Sequence, residues 1–420
     1  MTKRRDSATK GKATKPPLAL KKPPKMCIQA AFMDFDMERE NRDNTEFTKE
    51  EESYIDKEPR VERARLRKLI SKAKSVNAVP RRVRLLKSSL DGDLKLDVFQ
   101  KLARHPDPKF VQWVEEALKI PIATYTPRPS LSQASCILKR ARAVMDQEIS
   151  GHVGAKHEVM RLLSNWMHDG GGTGFALALE GQPGIGKTSF AKSALAKSLN
   201  RPFCFIGLGG ASDASMLLGH SYTYEGAMPG RLVECLTTSK VMDPVIFFDE
   251  LDKLSTTPKG EEVVNTLIHL TDPVQNTHIV DRYFHGIKLD LSRAILVFSY
   301  NDPSRVHPVL LDRLRRVRMA APSLQEKAVI CRRHLAPRYT AEPMDDDVIQ
   351  FVVDRNRGEP GMRGVEKDVE HLVSSFKLVR AYGDPDVLGL DKVSDRLDLS
   401  FAKALLESRD PCPRHLGMYL

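Results

Sequence analysis

Four uninterrupted apolar runs frame the 420-residue chain: Phe175-Ala-Leu-Ala-Leu179, residues 203–207, Val245-Ile-Phe-Phe248 and Ala294-Ile-Leu-Val-Phe298. Runs that stay apolar instead of alternating belong to strands covered on both faces, as in a parallel sheet. Around them, apolar residues recur every three or four positions. Thr188 to Leu199 places Phe190, Ala194, Leu195 and Leu199 on one helical face. Upstream, Leu94, Leu96, Phe99 and Leu102, then Phe110, Trp113, Val114, Leu118 and Ile120, predict helices ending before Pro121. Leu131 to Trp166 reads as two helices broken near Gly151 and Gly154, and Asp169 to Gly174 as a glycine-rich hinge into the first strand. From Leu324 the pattern is wholly helical, with breaks such as Gly358 to Gly361. The predicted fold class is α/β: a parallel central sheet, a small helical lid after it and a helical segment before it. The expected boundaries are a tail over 1–59, an N-terminal helical segment over 60–130, the α/β unit over 131–322, the lid over 323–385 and a C-terminal tail over 386–420. The extended stretch Tyr125-Thr-Pro-Arg-Pro-Ser130 reads as the linker into the α/β unit.

Charge changes the picture at the N-terminus. The net charge of +11 is concentrated there: Met1 to Lys25 holds nine Lys/Arg against Asp6, with Pro16, Pro17, Pro23 and Pro24, a composition expected to be disordered. Residues 34–59 turn acidic, and Arg60 to Lys87 carries eleven basic residues against Glu62 alone, with Leu66, Leu69, Ile70 and Ala73 on one helical face. A nucleic-acid or nuclear-import tether and a merely solvated basic surface both fit this region, although no aromatic residues interleave with its charges as stacking on bases requires. The prolines spoil the amphipathic helix of a mitochondrial presequence. No apolar run approaches the roughly 18–20 residues of a membrane span, and no secretion signal opens the chain, so the expectation is an intracellular, soluble protein of cytoplasm or nucleus with no membrane partner. The six cysteines include no Cys-x-x-Cys, which argues against a disulfide framework or a zinc site.

The candidate chemistry lies at strand ends. Directly after the first run come Gly181, Gln182, Pro183, Gly184, Ile185, Gly186, Lys187, Thr188 and Ser189, a glycine-rich turn opening a helix. Glycines let backbone N–H groups close around a β-phosphate, Lys187 supplies a point charge to the β/γ oxygens, and Thr188 offers a hydroxyl to Mg²⁺. The run Val245 to Phe248 ends in Asp249 and Glu250, where ligands bind in open α/β sheets. Asp249 would hold the magnesium shell and Glu250 would polarise the attacking water. Together these imply a protein that binds and splits a nucleoside triphosphate, with ATP and Mg²⁺ as its cofactors.

From about residue 135 to 380 the chain resembles the AAA+ ATPase module of the Lon family, and the likeness extends beyond generic phosphate-binding motifs. It includes Leu208-Gly-Gly210, Gly219-His-Ser-Tyr-Thr-Tyr-Glu-Gly-Ala-Met-Pro-Gly230, Phe248-Asp-Glu-Leu-Asp-Lys253, Asp272-Pro-Val-Gln-Asn276, Asp290-Leu-Ser292, Leu310-Leu-Asp-Arg313 and Gly361-Met-Arg363. The wording of Leu270 to Asn276 and of Phe298-Ser-Tyr-Asn301 is similar to Lon-like ATPases of large DNA viruses of eukaryotes. The resemblance implies that Asn301 senses the γ-phosphate or attacking water and that Arg363 is a second sensor in the lid. It implies that Arg313 is a finger for a neighbour's nucleotide, with Arg315 and Arg316 as open alternatives, and hence a ring, a homo-hexamer. It places Tyr224 at a substrate pore, followed by Glu225 where the family usually has an aliphatic residue. A tyrosine packed under a loop is the alternative for Tyr224.

Family proteases carry after the lid a domain of roughly 200 residues with a lysine-activated serine. The residues up to Leu420 contain no run resembling its Pro-Lys-Asp-Gly-Pro-Ser-Ala-Gly motif, so the expected activity is ATP-driven remodelling, unfolding or threading of protein without intrinsic proteolysis. Service to a separate peptidase, and a nucleic-acid-associated ATPase, are the other readings.

Overall fold

The structure, a computed structural model, describes residues 59–65, 80–104, 107–128, 130–168, 172–211, 213–224, 226–382 and 396–407. The basic and acidic tail up to residue 58, the apolar face Leu66 to Ala73 and Glu225 lie outside the described residues. The chain divides into two units between Val83 and Arg84. In the first, a helix occupies residues 60–65; the architecture below is that of the second.

Five parallel strands form its sheet: β1 (Phe175–Glu180), β2 (Phe203–Gly207), β3 (Val245–Asp249), β6 (Ile295–Tyr300) and β7 (Arg315–Arg318), in the order β2-β3-β6-β1-β7. A separate antiparallel pair joins β4 (Ile279–Val280) to β5 (Lys288–Leu289). Successive residues of a strand face opposite sides, so each apolar run feeds two cores. Ile246, Phe248, Leu296 and Phe298 enter one together with Trp113, Leu236 and Leu267. Val245, Phe247, Ile295 and Val297 enter the other with Met145, Leu163 and Leu195. That double coverage is why the runs of β1, β3 and β6 read as continuous; β2, at the sheet's edge, buries Cys204 and Ile206 on one face and leaves Phe205 48% exposed.

Several boundaries move. β6 runs two residues past Phe298, because Ser299 and Tyr300 are themselves buried and pair with Leu179 and Glu180 of β1. β7 has no apolar run to announce it: it is an edge strand in which Val317 alone is buried, and edge strands tolerate exposed charge. In the Gly92–Ala103 helix, Leu96 is 59% exposed and Val98 is the buried residue; Leu94 and Phe99 share the Val98 face, whereas Leu96 sits about 200° from Val98 on a 100° helical wheel.

The upstream helices share the sheet's core, and the start of the expected linker, Tyr125 and Thr126, is tied into it. Trp113, in the Pro108–Ala117 helix, is 5% exposed; its indole N–H donates to Tyr283 O at 2.8 Å, and its ring lies 5.8 Å from that of Phe284. Tyr125 donates to Asp290 at 3.0 Å under the guanidinium of Arg293, 4.2 Å away. The Thr126 N–H and hydroxyl donate to fully buried Asp243 at 2.8 and 2.5 Å, and Arg201 approaches the same carboxylate at 3.4 Å. A buried carboxylate persists only when its charge and lone pairs are met, and the supposed linker meets part of that need.

The lid begins at a capping box, Ser323 with Glu326, and contains the helices Leu324–Ile330, Asp346–Arg355 and Arg363–Tyr382. The C-terminal tail is corrected in part: Leu399–Glu407 is a helix whose Phe401, Ala402, Leu405 and Leu406 are buried in the lid core. Among the described residues no helix is long and apolar enough to cross a membrane.

Trp113→Ala removes both the indole donor and a buried ring. It is expected to lower stability by about 3–5 kcal/mol, measured by urea unfolding against the parent; a loss under about 1 kcal/mol would show the upstream helices to be dispensable to the sheet.

Candidate functional site

After β1 the chain turns through residues 181–186 into the helix Lys187–Phe190, which continues with wider, π-type turns over Ala191–Lys197. Gly184 and Gly186 sit at φ +77° and +93°, a region glycine enters without steric cost. A Cβ on Gly181 would lie 2.5 Å from Ile185 Cδ1 and 2.7 Å from Met319 O. The Lys187 ammonium donates to Gly181 O at 2.7 Å, to Gln182 O at 3.1 Å and to Asn301 Oδ1 at 2.7 Å. Burial pushes its pKa down from the ordinary lysine value, while Asp249 and Asp252 oppose that shift.

The acidic pair occupies the end of β3, two strands from β1. Asp249 Oδ1 accepts from the Ser299 hydroxyl and, at 3.0 Å, from the Glu250 N–H. Glu250 adopts φ +61°, unusual for a residue with a side chain, and backbone strain of this sort gathers at functional sites. Its carboxylate pairs with Lys253 and lies over Gly209, where a Cβ would come within 2.0 Å of Glu250 Oε2. Asp252 Oδ2 accepts from the backbone N–H of Asn301 at 3.1 Å and of Asp302 at 3.2 Å, while its buried Oδ1 has no hydrogen-bond partner among the described residues.

Pro183, Gly184, Gly186, Lys187, Thr188, Ser189, Asp249, Glu250, Asn301 and Arg363 thus border one cleft of about 240 Å³. It shares Gly184, Gly186, Ser189 and Glu366 with a larger hollow of about 710 Å³, whose walls include Ile149, His152 and Ile185 from the body and Ile330, Leu335 and Met362 from the lid. A polar slot beside an apolar one suits a phosphate chain and a nucleobase. His152 donates from Nε2 to Ile185 O at 3.0 Å, and burial holds its pKa below the ordinary histidine value. The lid meets the loop directly: the Met362 N–H donates to Gly184 O at 3.0 Å, and a Cβ on Gly361 would lie 2.5 Å from Pro183 O.

The residues present fit a nucleotide with Mg²⁺. Gly186 has open space where a Cβ would stand, and Thr188 and Asp249 line the same cleft. Among the described residues no cluster of three or more His, Cys, Asp or Glu could cage a metal; magnesium at phosphate sites takes most of its ligands from phosphate and water.

Two groups of expected residues stay apart from this cleft. Arg313 ends the Pro308–Arg313 helix and pairs at 2.9 Å with Asp272, whose carboxyl it holds below the ordinary range; Arg315 and Arg316 lie exposed on β7. Tyr224 is 69% exposed on the loop between Gly219 and Gly230, which sets aside the packed alternative. Two further residues, to which no motif assigns a role, shape the cleft: Ser299 lines it, and Asp252 holds the Asn301 turn from behind. Asp252 was visible at the third position after Asp249, and Ser299 two before Asn301, but neither spacing says which side chains will meet across adjacent strands.

Residues 177–321 match the model of the ATPase family associated with various cellular activities (AAA). The chain is similar to a Lon protease homolog of Acanthamoeba polyphaga mimivirus, 32% identical over 262 residues, or 60% of this chain and 26% of that protein. It is similar to the peroxisomal Lon protease homolog 2 of Caenorhabditis elegans, 34% identical over 313 residues covering 71% and 39%, and to Lon protease 1 of Syntrophotalea carbinolica, 31% identical over 277 residues covering 64% and 34%. The chain thus spans less than half the length of these relatives. Among solved structures, a Thermotoga maritima RuvB Holliday junction branch migration motor aligns at 17% identity and a TM-score of 0.43, covering 64% of this chain and 73% of that one.

Gly361→Ala is expected to push the lid off the loop and weaken nucleotide binding roughly tenfold, since overpacking costs about 1–3 kcal/mol. Titration with a fluorescent nucleotide reads this out, with Gly358→Ala, where a Cβ meets nothing within 4 Å, as the neutral comparison. Equal affinities for both variants would remove the lid contact from the site.

Proposed function

We propose that this chain, which carries a Lon-like AAA+ ATPase module, binds ATP with Mg²⁺ between its α/β body and its lid and converts hydrolysis into mechanical work on protein substrates. The observation that supports this most is the convergence of Lys187, Asp249, Glu250 and Asn301 from the ends of β1, β3 and β6, and of Arg363 from the lid, on a single cleft. Lys187 and the backbone N–H groups of 184–188 hold the phosphates. Thr188 and Asp249 would hold the magnesium, whose charge would offset that of the phosphates. Glu250 takes the position of the residue that orients the attacking water, Asn301 that of the γ-phosphate sensor, and Arg363 couples the nucleotide to the lid.

Arg313 does not line the cleft of its own chain, which supports a role at a neighbour's nucleotide and hence a homo-hexameric ring of the kind the family resemblance implies. Tyr224, exposed on a loop held at both ends, supports contact with polypeptide: an aromatic ring grips varied side chains without reading sequence. The work proposed for this module is unfolding or threading of polypeptide.

Lys187→Ala is expected to abolish nucleotide binding, whereas Glu250→Gln keeps binding and lowers phosphate release roughly 10²–10⁴-fold, the scale of general acid–base effects. Hydrolysis by Glu250→Gln at the parent rate would remove it from the chemistry. Tyr224→Ala is expected to depress unfolding of a fluorescent, stably folded reporter far more than it depresses ATP turnover. A variant that unfolds the reporter as fast as the parent would take the loop out of substrate contact.

A further inference from the structure

Building on the proposed role of the Tyr224 loop, the structure supports a reading of which polypeptides that loop takes. Beside the Tyr224 ring lies an open hollow of about 350 Å³ whose other walls are His220, Ser221, Arg282 and His285. Its frame is stiff. Asp281, 1% exposed, accepts from the backbone N–H of Gly230 at 2.9 Å, of Tyr283 at 2.9 Å and of Phe284 at 3.4 Å, and the Arg282 N–H donates to Leu218 O at 2.6 Å. The two ends of the loop press together: a Cβ on Gly219 would lie 2.8 Å from Gly230 N, and one on Gly230 would lie 2.0 Å from Leu217 O.

On this frame His220, Arg282 and His285 are exposed. Among the described residues no carboxylate lines the hollow. Of the acids nearby, Glu262 meets the Arg282 guanidinium at 3.7 Å, a charge contact too long for a hydrogen bond. Asp281 is committed to backbone N–H groups, and Asp213 is within electrostatic reach of both Arg282 and Lys259. Among the described residues the walls are therefore a planar guanidinium, two imidazoles and two hydroxyls, all able to donate hydrogen bonds, while Glu225, next to Tyr224 in sequence, lies outside them.

We infer that this hollow receives the carboxylate side chains of an acidic polypeptide segment held against Tyr224. A guanidinium fork matches a carboxylate in two parallel hydrogen bonds, while the tyrosine ring supplies contact that does not depend on sequence. A nucleic-acid strand fits less well, since its binding draws on several phosphate contacts and among the described residues the hollow has one guanidinium. Exposed ion pairs are individually weak, so the preference is a several-fold one.

The test uses the full chain with ATP and one folded fluorescent reporter bearing an unstructured tail in three versions, with Glu, Ser or Lys at the same positions. The expected result is a KM for unfolding roughly three- to tenfold lower for the Glu tail than for the Ser tail, a difference of the size exposed charge pairs give. That ratio falls to one in Arg282→Gln combined with His285→Gln, and His285→Glu shifts preference toward the Lys tail. Equal KM values for Glu and Ser tails in the parent overturn the inference while leaving Tyr224 as a grip. A ratio that survives in the double variant overturns the assignment to this hollow, and competition by single-stranded DNA that needs Arg282 would make it a nucleic-acid site. If no tail leads to unfolding, the inference falls together with the reading of the loop.

Discussion

The ammonium of Lys187 reaches Gly181 O, Gln182 O and Asn301 Oδ1, and so ties the loop after β1 to the end of β6 across 114 residues of sequence. Asp252, in the turn after β3, holds the backbone N–H groups of Asn301 and Asp302 in turn. One cation and one carboxylate therefore bind three neighbouring strand ends into a single surface. Desolvation works against the half-buried ammonium, and Asp249 and Asp252 are the charges that offset it. The strand order β3-β6-β1 is what makes this possible, because it sets side by side three chain segments that lie far apart in sequence.

The lid completes the cleft through backbone. Gly361 lies so close to Pro183 that a Cβ has no place, and Met362 bonds to Gly184. A nucleotide contacting Lys187 on one side and Arg363 on the other would bind best when the two parts are apposed, and ligands shift an equilibrium only through such differences in affinity. In the proposed function that shift is the source of movement, and the Tyr224 loop, held at its neck by Asp281, is where movement meets substrate.

The runs of β1, β3 and β6 were legible because double-sided burial leaves an unbroken hydrophobic signal, that of β2 although this edge strand leaves Phe205 48% exposed, and the phosphate loop was legible because its glycines and lysine have few other uses in that order. Other parts escaped for physical reasons. β7 escaped because an edge strand need bury only Val317. The clamp at Tyr125 and Thr126 escaped because its partners, Asp290 and Asp243, are more than 100 residues away. Val98 displaced Leu96 from the core because the two differ in helical phase, not in apolarity. The helix Leu399–Glu407 was read as tail because it is short and isolated in sequence, and only the lid core reveals its partners. Arg313 was found as a candidate, yet its contact in this chain is Asp272, which no motif specifies.

Protein as the object of work competes with nucleic acid, to which the basic stretch Arg60 to Lys87 would be suited. The most direct measurement is phosphate release by the purified chain titrated with a permanently unfolded protein and, in parallel, with single-stranded DNA at low and raised salt. The account predicts stimulation by the unfolded protein and none by DNA. Stimulation by DNA alone, lost as salt rises, would contradict it.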